Sequence, residues 1–498
     1  MGLTSYQHLE KRFKRIQILR SVTHLLRWDA EVMMPTGSGE VRAEQLSLLD
    51  TECSAILHSK KTLLLLDRAE SSIDSYDDWQ RANVREMRRI CLCSNAIPKR
   101  LINSLQRATT KAEMRWRQAV EEKNFKLLLP HLQKVVDLVR EKAGCLGNKL
   151  GCLPYDGLIQ EYDPGRESRE IDSIFQFLDS TLPALIDGVI EYQSNHPPIE
   201  IVKEIPIKKQ KELGKFIMQR MGFPFHKGRL DESLHPFTEG TSEDIRITSK
   251  FSEHNFLTGF MGVLHETGHA MYDYALPSEW FFQAVGRDRG MTVHESQALF
   301  LEMIIGRSRE FMKFAAPWIS HKLGVVGAEW EPENLLRLAN RVRKSFIRMD
   351  ADEVTYPLHI LLRYNLEKDL FSGKLLVKEL PDAWSEEFKQ RFGMTPENHN
   401  QGCLQDSHWP MGYFGYFPTY ALGGIIASQL YQSMMSDQPE ILPQIETGKF
   451  KPMFDWLDQK IYRFGAKFSC RELLVQATGE EINPKIFLGY LRKKYLNS

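Results

Sequence analysis

Apolar residues recur at three- and four-residue spacing, separated by charges, through residues 5–31, 78–95, 98–122 and 127–147. That period predicts amphipathic helices packed on one face. It returns in 210–221, 258–275, 292–314, 334–371, 421–434 and 471–494. Pro98 and Pro130 stand where helices should begin, and Gly147 and Gly151 where one should end. The helical pattern breaks over 222–252, a stretch rich in Gly, Pro, Ser and Thr. Within it Ile245, Ile247 and Phe251 alternate with Arg246, Thr248 and Lys250, which predicts a short strand and a small sheet. A second irregular stretch, 395–420, is crowded with Gly, Pro and aromatic residues. Neither a fixed-period repeat nor a low-complexity linker interrupts the chain. The prediction is a mainly α protein, one large helical domain over residues 1–498, with a small β-sheet just before the helix at 258–275.

Composition narrows the function classes. The 498 residues are 42% hydrophobic and 26% charged, as in a globular protein. The 65 basic residues balance 65 acidic ones, so no bulk charge draws the chain to nucleic acid or an anionic membrane. Seven scattered cysteines are an odd number and do not suggest a disulfide framework. They read as reduced thiols of a cytoplasmic protein. The first twenty residues carry charges throughout, unlike a signal peptide, and the aliphatic run at 63–66 is too short to span a bilayer.

Chemistry enters with VLHETGHAMYDYAL at 263–276. Thr258 is placed to cap this helix and Pro277 to stop it. His265 and His269 lie at i and i+4, on one face and about 6 Å apart along the axis. Two imidazoles so placed can reach one zinc ion, and Glu266, displaced around the helix, can act as general base. A chance match to this pattern in a chain of this histidine content is expected on the order of 0.03 times, which favours a metal site over an ordinary helix. Gly268, costly inside a helix, points to close packing or close approach of a ligand.

Zinc needs a third protein ligand and an open position. Asp273 lies about 12 Å along the axis from His265, too far to serve. The following segment, TVHESQALFLEMIIGRS (292–308), offers Glu295 and Glu302, seven apart on one face. Thr292 and Glu295 also have the spacing of a capping box. His294 is a further neighbour, suited to supporting a ligand. The residues alone leave the third ligand open.

HETGH followed by HESQ resembles the carboxypeptidase Taq family, the M32 metallocarboxypeptidases. Further segments carry the resemblance over most of the chain. They are RWDAEVMMPTGSGEVRAEQLSLL at 27–49, His235-Pro236-Phe237-Thr238, and Asp244-x-Arg246-x-Thr248. Ile347-Arg348-x-x-Ala351-Asp352-Glu353 and Gly402-x-x-Gln405-Asp406-x-His408-Trp409, running into GYFGYFPTYALG at 412–423, complete the set. Asp273, Ala298 and Met303 depart from the pattern expected there, which bears on fine substrate preference. The resemblance implies a nearly all-helical fold with a deep groove, usually homodimeric. It implies one Zn2+ per chain, replaceable by cobalt, held by His265, His269 and Glu295, with Glu266 as base.

It also implies roles elsewhere. Tyr420 would stabilise the oxyanion, where the residues alone suggest an aromatic packed among Phe414, Tyr416 and Phe417. Arg348 would bind the terminal carboxylate of short peptides, since a guanidinium fork suits a carboxylate. The competing reading is a helical ion pair with Asp352 at i+4. Arg246 is the alternative anchor, His235 and His408 are candidates to bond the substrate, and Asp406 is read as an orienting group. Two rivals remain: an oligopeptidase cutting internal bonds, and a helical binding protein with a non-catalytic metal site.

Overall fold

The computed structural model describes residues 3–496 and is mostly helical, with one three-stranded sheet among the described residues. The chain forms two compact units, each drawn from three separate stretches. The first takes the chain through Ser94, then Pro198–Ala339 and Ile426–Ile482. The second takes Asn95–Pro197, Asn340–Ile425 and the chain from Asn483.

In the first unit the small sheet comprises β1 (Gly228–Glu232), β2 (Phe237–Thr241) and β3 (Asp244–Ser249). The order is β1-β3-β2, with β1 parallel and β2 antiparallel to β3. Ile245 and Ile247 are buried, as their alternation predicts, against Met218, Phe223 and Val263. Burying such a side chain stabilises by about 1.5–3 kcal/mol, and Val263 belongs to the histidine helix, Phe256–Ala275. The sheet is thereby fixed to the helix that carries the site. The first helix, Ser5–Val32, runs beside β2 and sets Trp28 against the guanidiniums of Arg229 and Arg246, 4.7 and 4.3 Å from the ring centre.

The second unit packs Lys99–Glu121, Phe125–Leu150, Ser168–Ser194, Tyr356–Ser372, Leu380–Phe392 and Pro484–Leu496. Ser168–Ser194 escapes the periodicity reading. By length and composition it is apolar enough to cross a membrane, with mean hydropathy 1.2 over its best window. Its Ile171, Leu178, Leu182 and Ile186 are buried, and it packs on Tyr356–Ser372 and Pro484–Leu496 as a core helix.

Some predicted boundaries move. Pro130 does not start a helix; Asn124 caps one from Phe125 to Leu150 with Pro130 inside it, and Gly151 ends it at φ +71°. Thr258 is not the cap of the histidine helix: Asn255 is, accepting a hydrogen bond from the Thr258 backbone N–H. The single helix expected over 334–371 is two, Pro332–Ala339 and Tyr356–Ser372, separated by irregular chain that holds a short 3-10 turn at Arg348–Asp350. Pro357 stands at the start of the second, where its missing N–H costs nothing.

Candidate active site

His265, His269 and Glu295 come together in the first unit. One ligating atom from each lies within 4.8 Å of the others, and they form a group that can hold a metal ion. The imidazoles stand 4.9 Å apart, nearly perpendicular, and His269 Nε2 is 3.7 Å from Glu295 Oε2. His269 and Glu295 are buried. Two imidazoles and one carboxylate form a donor set suited to a catalytic divalent metal with an open position.

The local chain explains why Glu295 reaches the cluster. The helix Met291–Leu299 begins after Gly290, so Thr292 lies inside the first turn and not at the cap position a capping box needs. After Leu299 the chain widens into a π-helical stretch, Phe300–Ile305, which contains Glu302. Glu302 turns to the other side of His265: its Oε2 meets His265 Nδ1 at 3.0 Å while its Oε1 accepts from Arg307 at 2.7 Å. This carboxylate fixes the ring and leaves Nε2 for a metal. The two glutamates that the sequence left as alternatives therefore make different contacts, Glu295 with the ligating face of His269 and Glu302 with His265 Nδ1 and Arg307. Asp273, set aside as a ligand, binds His294 Nε2 at 3.0 Å, and the His294 ring stacks on His269 at 4.4 Å.

Gly268 lets these helices meet. A Cβ there would lie 2.5 Å from the Gln297 carbonyl oxygen and 2.6 Å from Ala298 Cα. Gly268→Ala should push the histidine helix from the one carrying Glu295, destabilising the protein by about 1–3 kcal/mol and weakening metal binding. A thermal melt with and without metal checks this, and unchanged metal affinity would show that the spacing is not needed.

Glu266 is buried beside the cluster. Thr238 on β2 donates to its Oε2 at 2.7 Å, a contact absent from the sequence reading although Thr238 belongs to a quoted motif. Burial pushes the Glu266 carboxyl up and Glu295 adds to this, while the His265 charge and the Thr238 hydroxyl pull it down; the net is upward. Burial would lower His265, but the Glu302 hydrogen bond and the charges of Glu295 and Glu266 raise it to about 10. Glu302 itself is held at about 2, against its burial, by Arg307 and His265. Three carboxylates, Glu266, Glu295 and Glu302, thus surround the two imidazoles, with Arg307 pairing one of them.

Arg246 lies on β3 and His235 in the loop before β2, neither within the metal cluster. Arg246 is paired with Asp244, two bonds of 2.9 Å, and lies over Trp28. His235 is exposed in the loop between β1 and β2, where Ser233 donates to its carbonyl oxygen.

The second unit gathers the other four selected residues. Arg348 donates from Nε and Nη2 to Asp406 Oδ1, at 3.0 and 2.8 Å, and from Nη1 to the Tyr356 hydroxyl at 3.0 Å. The competing pair with Asp352 does not form. Arg348 stands in a 3-10 turn, not an α-helix, and Asp352 accepts instead from the backbone N–H groups of Arg343, Val354 and Thr355. His408 Nε2 contacts the Tyr420 hydroxyl at 3.3 Å, and its Nδ1 is 4.0 Å from Asp406. Burial pushes His408 down to about 4, with the two nearby arginines contributing, so it is neutral near pH 7. Tyr420 is not only packed among aromatics: its ring lies 5.2 Å from the Arg348 guanidinium. Arg363 and Gln405 complete this network and were not picked as site residues from sequence. Arg363 Nε donates to Asp406 Oδ2 at 2.7 Å, and Gln405 Oε1 accepts from Arg363 Nη2 and the Arg348 backbone N–H.

Two imidazoles and a carboxylate beside a buried glutamate are the groups a metal-dependent hydrolase uses. The description Carboxypeptidase Taq (M32) metallopeptidase matches residues 8–495. Thermostable carboxypeptidase 1 of Thermus thermophilus is 34% identical, over 99% of this chain and 98% of that protein. Carboxypeptidase 1 of Bacillus subtilis is 33% identical over 98% of each. The solved structure of Trypanosoma cruzi metallocarboxypeptidase 1 superposes with TM-score 0.96 at 36% identity, covering 99% of both chains. The chain belongs to the carboxypeptidase Taq (M32) family and is a metallocarboxypeptidase.

Proposed function

We propose that this enzyme is a zinc-dependent carboxypeptidase of broad specificity that removes C-terminal residues from short peptides. The observation that carries the reading is the buried His265–His269–Glu295 donor set with Glu266 beside it. We read residues 1–498 as one catalytic domain, since neither unit is continuous in the chain. The reduced cysteines suit a cytoplasmic protein, and the resemblance adds a homodimer, which light scattering on the purified protein checks.

His265, His269 and Glu295 would hold the ion, which supplies Lewis acidity toward the scissile carbonyl and a water nucleophile near neutral pH. Glu266 takes a proton from the attacking water and returns it to the leaving amine. Its upward-shifted carboxyl and the Thr238 hydrogen bond suit a base that must later act as an acid. Tyr420 donates to the developing oxyanion, with His408 supporting its hydroxyl. Arg348 binds the terminal carboxylate. Among the described residues three of its N–H groups are engaged, and a guanidinium carries five, so one on each Nη remains for a bidentate partner. Asp406 orients Arg348. Arg246 is the alternative anchor for that carboxylate, and His235 is assigned to the substrate backbone.

Chelation should abolish hydrolysis of a blocked dipeptide, and zinc or cobalt should restore it at one ion per chain. Because metal-free His265 has a pKa of about 10, it is protonated at pH 7 and must release that proton to bind. Calorimetric titration at pH 7 in buffers of different ionisation enthalpy should therefore show net proton release on binding, and affinity should fall as pH falls. Full activity in metal-free protein would overturn the reading.

A further inference from the structure

We infer that Arg363 is a positioning residue that supplies the unbalanced positive charge allowing Arg348 to accept a substrate carboxylate. The inference rests on the reading of Arg348 as the carboxylate anchor. Asp406 is shared: Oδ1 takes both bonds from Arg348, and Oδ2 takes the bond from Arg363. Arg348 and Asp406 alone would be a neutral buried pair. A peptide carboxylate arriving at Arg348 would then make two carboxylates around one guanidinium, with like charges close together in a poorly solvated place. With Arg363 present there are two guanidiniums to one carboxylate, and the incoming carboxylate completes the balance.

Neighbouring groups neither supply that positive charge nor fully cancel it. His408, 4.0 Å from Asp406, is neutral near pH 7. Glu367, one turn beyond Arg363 on the same helix, directs its carboxylate to Trp409 Nε1, the Gly415 N–H and the Tyr155 hydroxyl, at 2.7, 2.8 and 2.7 Å, and burial pushes that carboxyl up to about 7, so it offsets only part of the Arg363 charge. Asp352 is occupied with backbone N–H groups.

Arg363 itself does not reach a substrate. It is fully buried, donates from Nη1 to the His359 carbonyl and from Nη2 to Gln405, and faces the rings of Trp384 and Phe417 at 4.6 and 5.4 Å. Its action passes through Asp406, whose charge it offsets, and through Gln405, which also holds the Arg348 backbone. Two long-range attachments thus fix where the Arg348 fork points.

The test measures the ratio of kcat/KM for a blocked dipeptide with a free C-terminus to that for its C-terminal amide. The full-length, metal-loaded protein is used, and melting temperature is recorded for each variant. Arg363→Gln should cut that ratio by roughly tenfold or more, mainly through KM for the free acid. Arg363→Lys keeps the charge and should restore most of the ratio. Asp406→Asn added to Arg363→Gln removes one charge of each sign and should also restore part of it, which loss of packing alone would not do. If Arg363→Gln does not fold, the Lys and double variants carry the comparison. An unchanged ratio in folded Arg363→Gln, or a Lys variant or double variant with no preference for the free acid, overturns the inference. If Arg348→Ala keeps the parent's preference, the anchor reading itself fails, and the two failures are distinguished.

Discussion

Replacing Glu266 by Gln lowers turnover by roughly two to four orders of magnitude while metal content stays at one ion per chain. The side chains have nearly the same shape, so the buried position beside the cluster stays filled. Thr238 can still donate to the amide oxygen in place of the carboxylate Oε2. His265, His269 and Glu295 are untouched, and Glu302 still fixes His265 through Nδ1. What is lost is a group that can accept a proton and give it back. The pH dependence should change as well. The acidic limb of the parent's kcat/KM profile, set by protonation of a carboxyl pushed upward by burial, should disappear from the residual activity. Near-normal turnover in this variant would remove Glu266 from the role of base.

The part of the site that was legible in sequence is the part built by local geometry. Two histidines four residues apart must share a helix face wherever the helix sits. Glu295 and Glu302 could not be separated that way, because seven residues return to the same face. Their contacts are set by where the helix begins after Gly290 and by the π-helical turn that contains Glu302, neither of which has a signal in hydrophobic period. The same limit explains Arg348. Reading 334–371 as one helix placed Asp352 within reach, whereas the real break before Tyr356 gave Asp352 to backbone N–H groups and left Arg348 to Asp406, 58 residues away. Arg363 was invisible for a related reason. Its partners Asp406 and Gln405 lie 43 and 42 residues downstream, and an arginine in a helix ordinarily reads as solvated. The small sheet was legible through Ile245 and Ile247, but its β1-β3-β2 order, which carries Thr238 to Glu266, depends on pairing that no short pattern encodes.

Arg348→Ala should lower kcat/KM for free-acid peptides by roughly thirtyfold or more, about 2 kcal/mol of lost binding at the transition state. The variant should fold, because Asp406 is not left alone: Arg363 still donates to its Oδ2 and Gln405 still holds Arg363. That retained pairing separates this substitution from the usual loss of half a buried ion pair, which costs several kcal/mol in stability. Neutral Arg363–Asp406 then remains where a cationic cluster stood, and a terminal carboxylate gains nothing there over an amide. The parent should cleave a free-acid peptide much faster than its C-terminal amide, and the variant should cleave the two at similar, low rates. The glutamate chemistry is unaffected, so hydrolysis of the amide should change little between parent and variant. Mass spectrometry of products from a blocked peptide series reads both rates and the bond cut. A parent that cleaves amide and acid equally, or that releases internal fragments, is an endopeptidase toward those peptides, and Arg348 then has no carboxylate to bind.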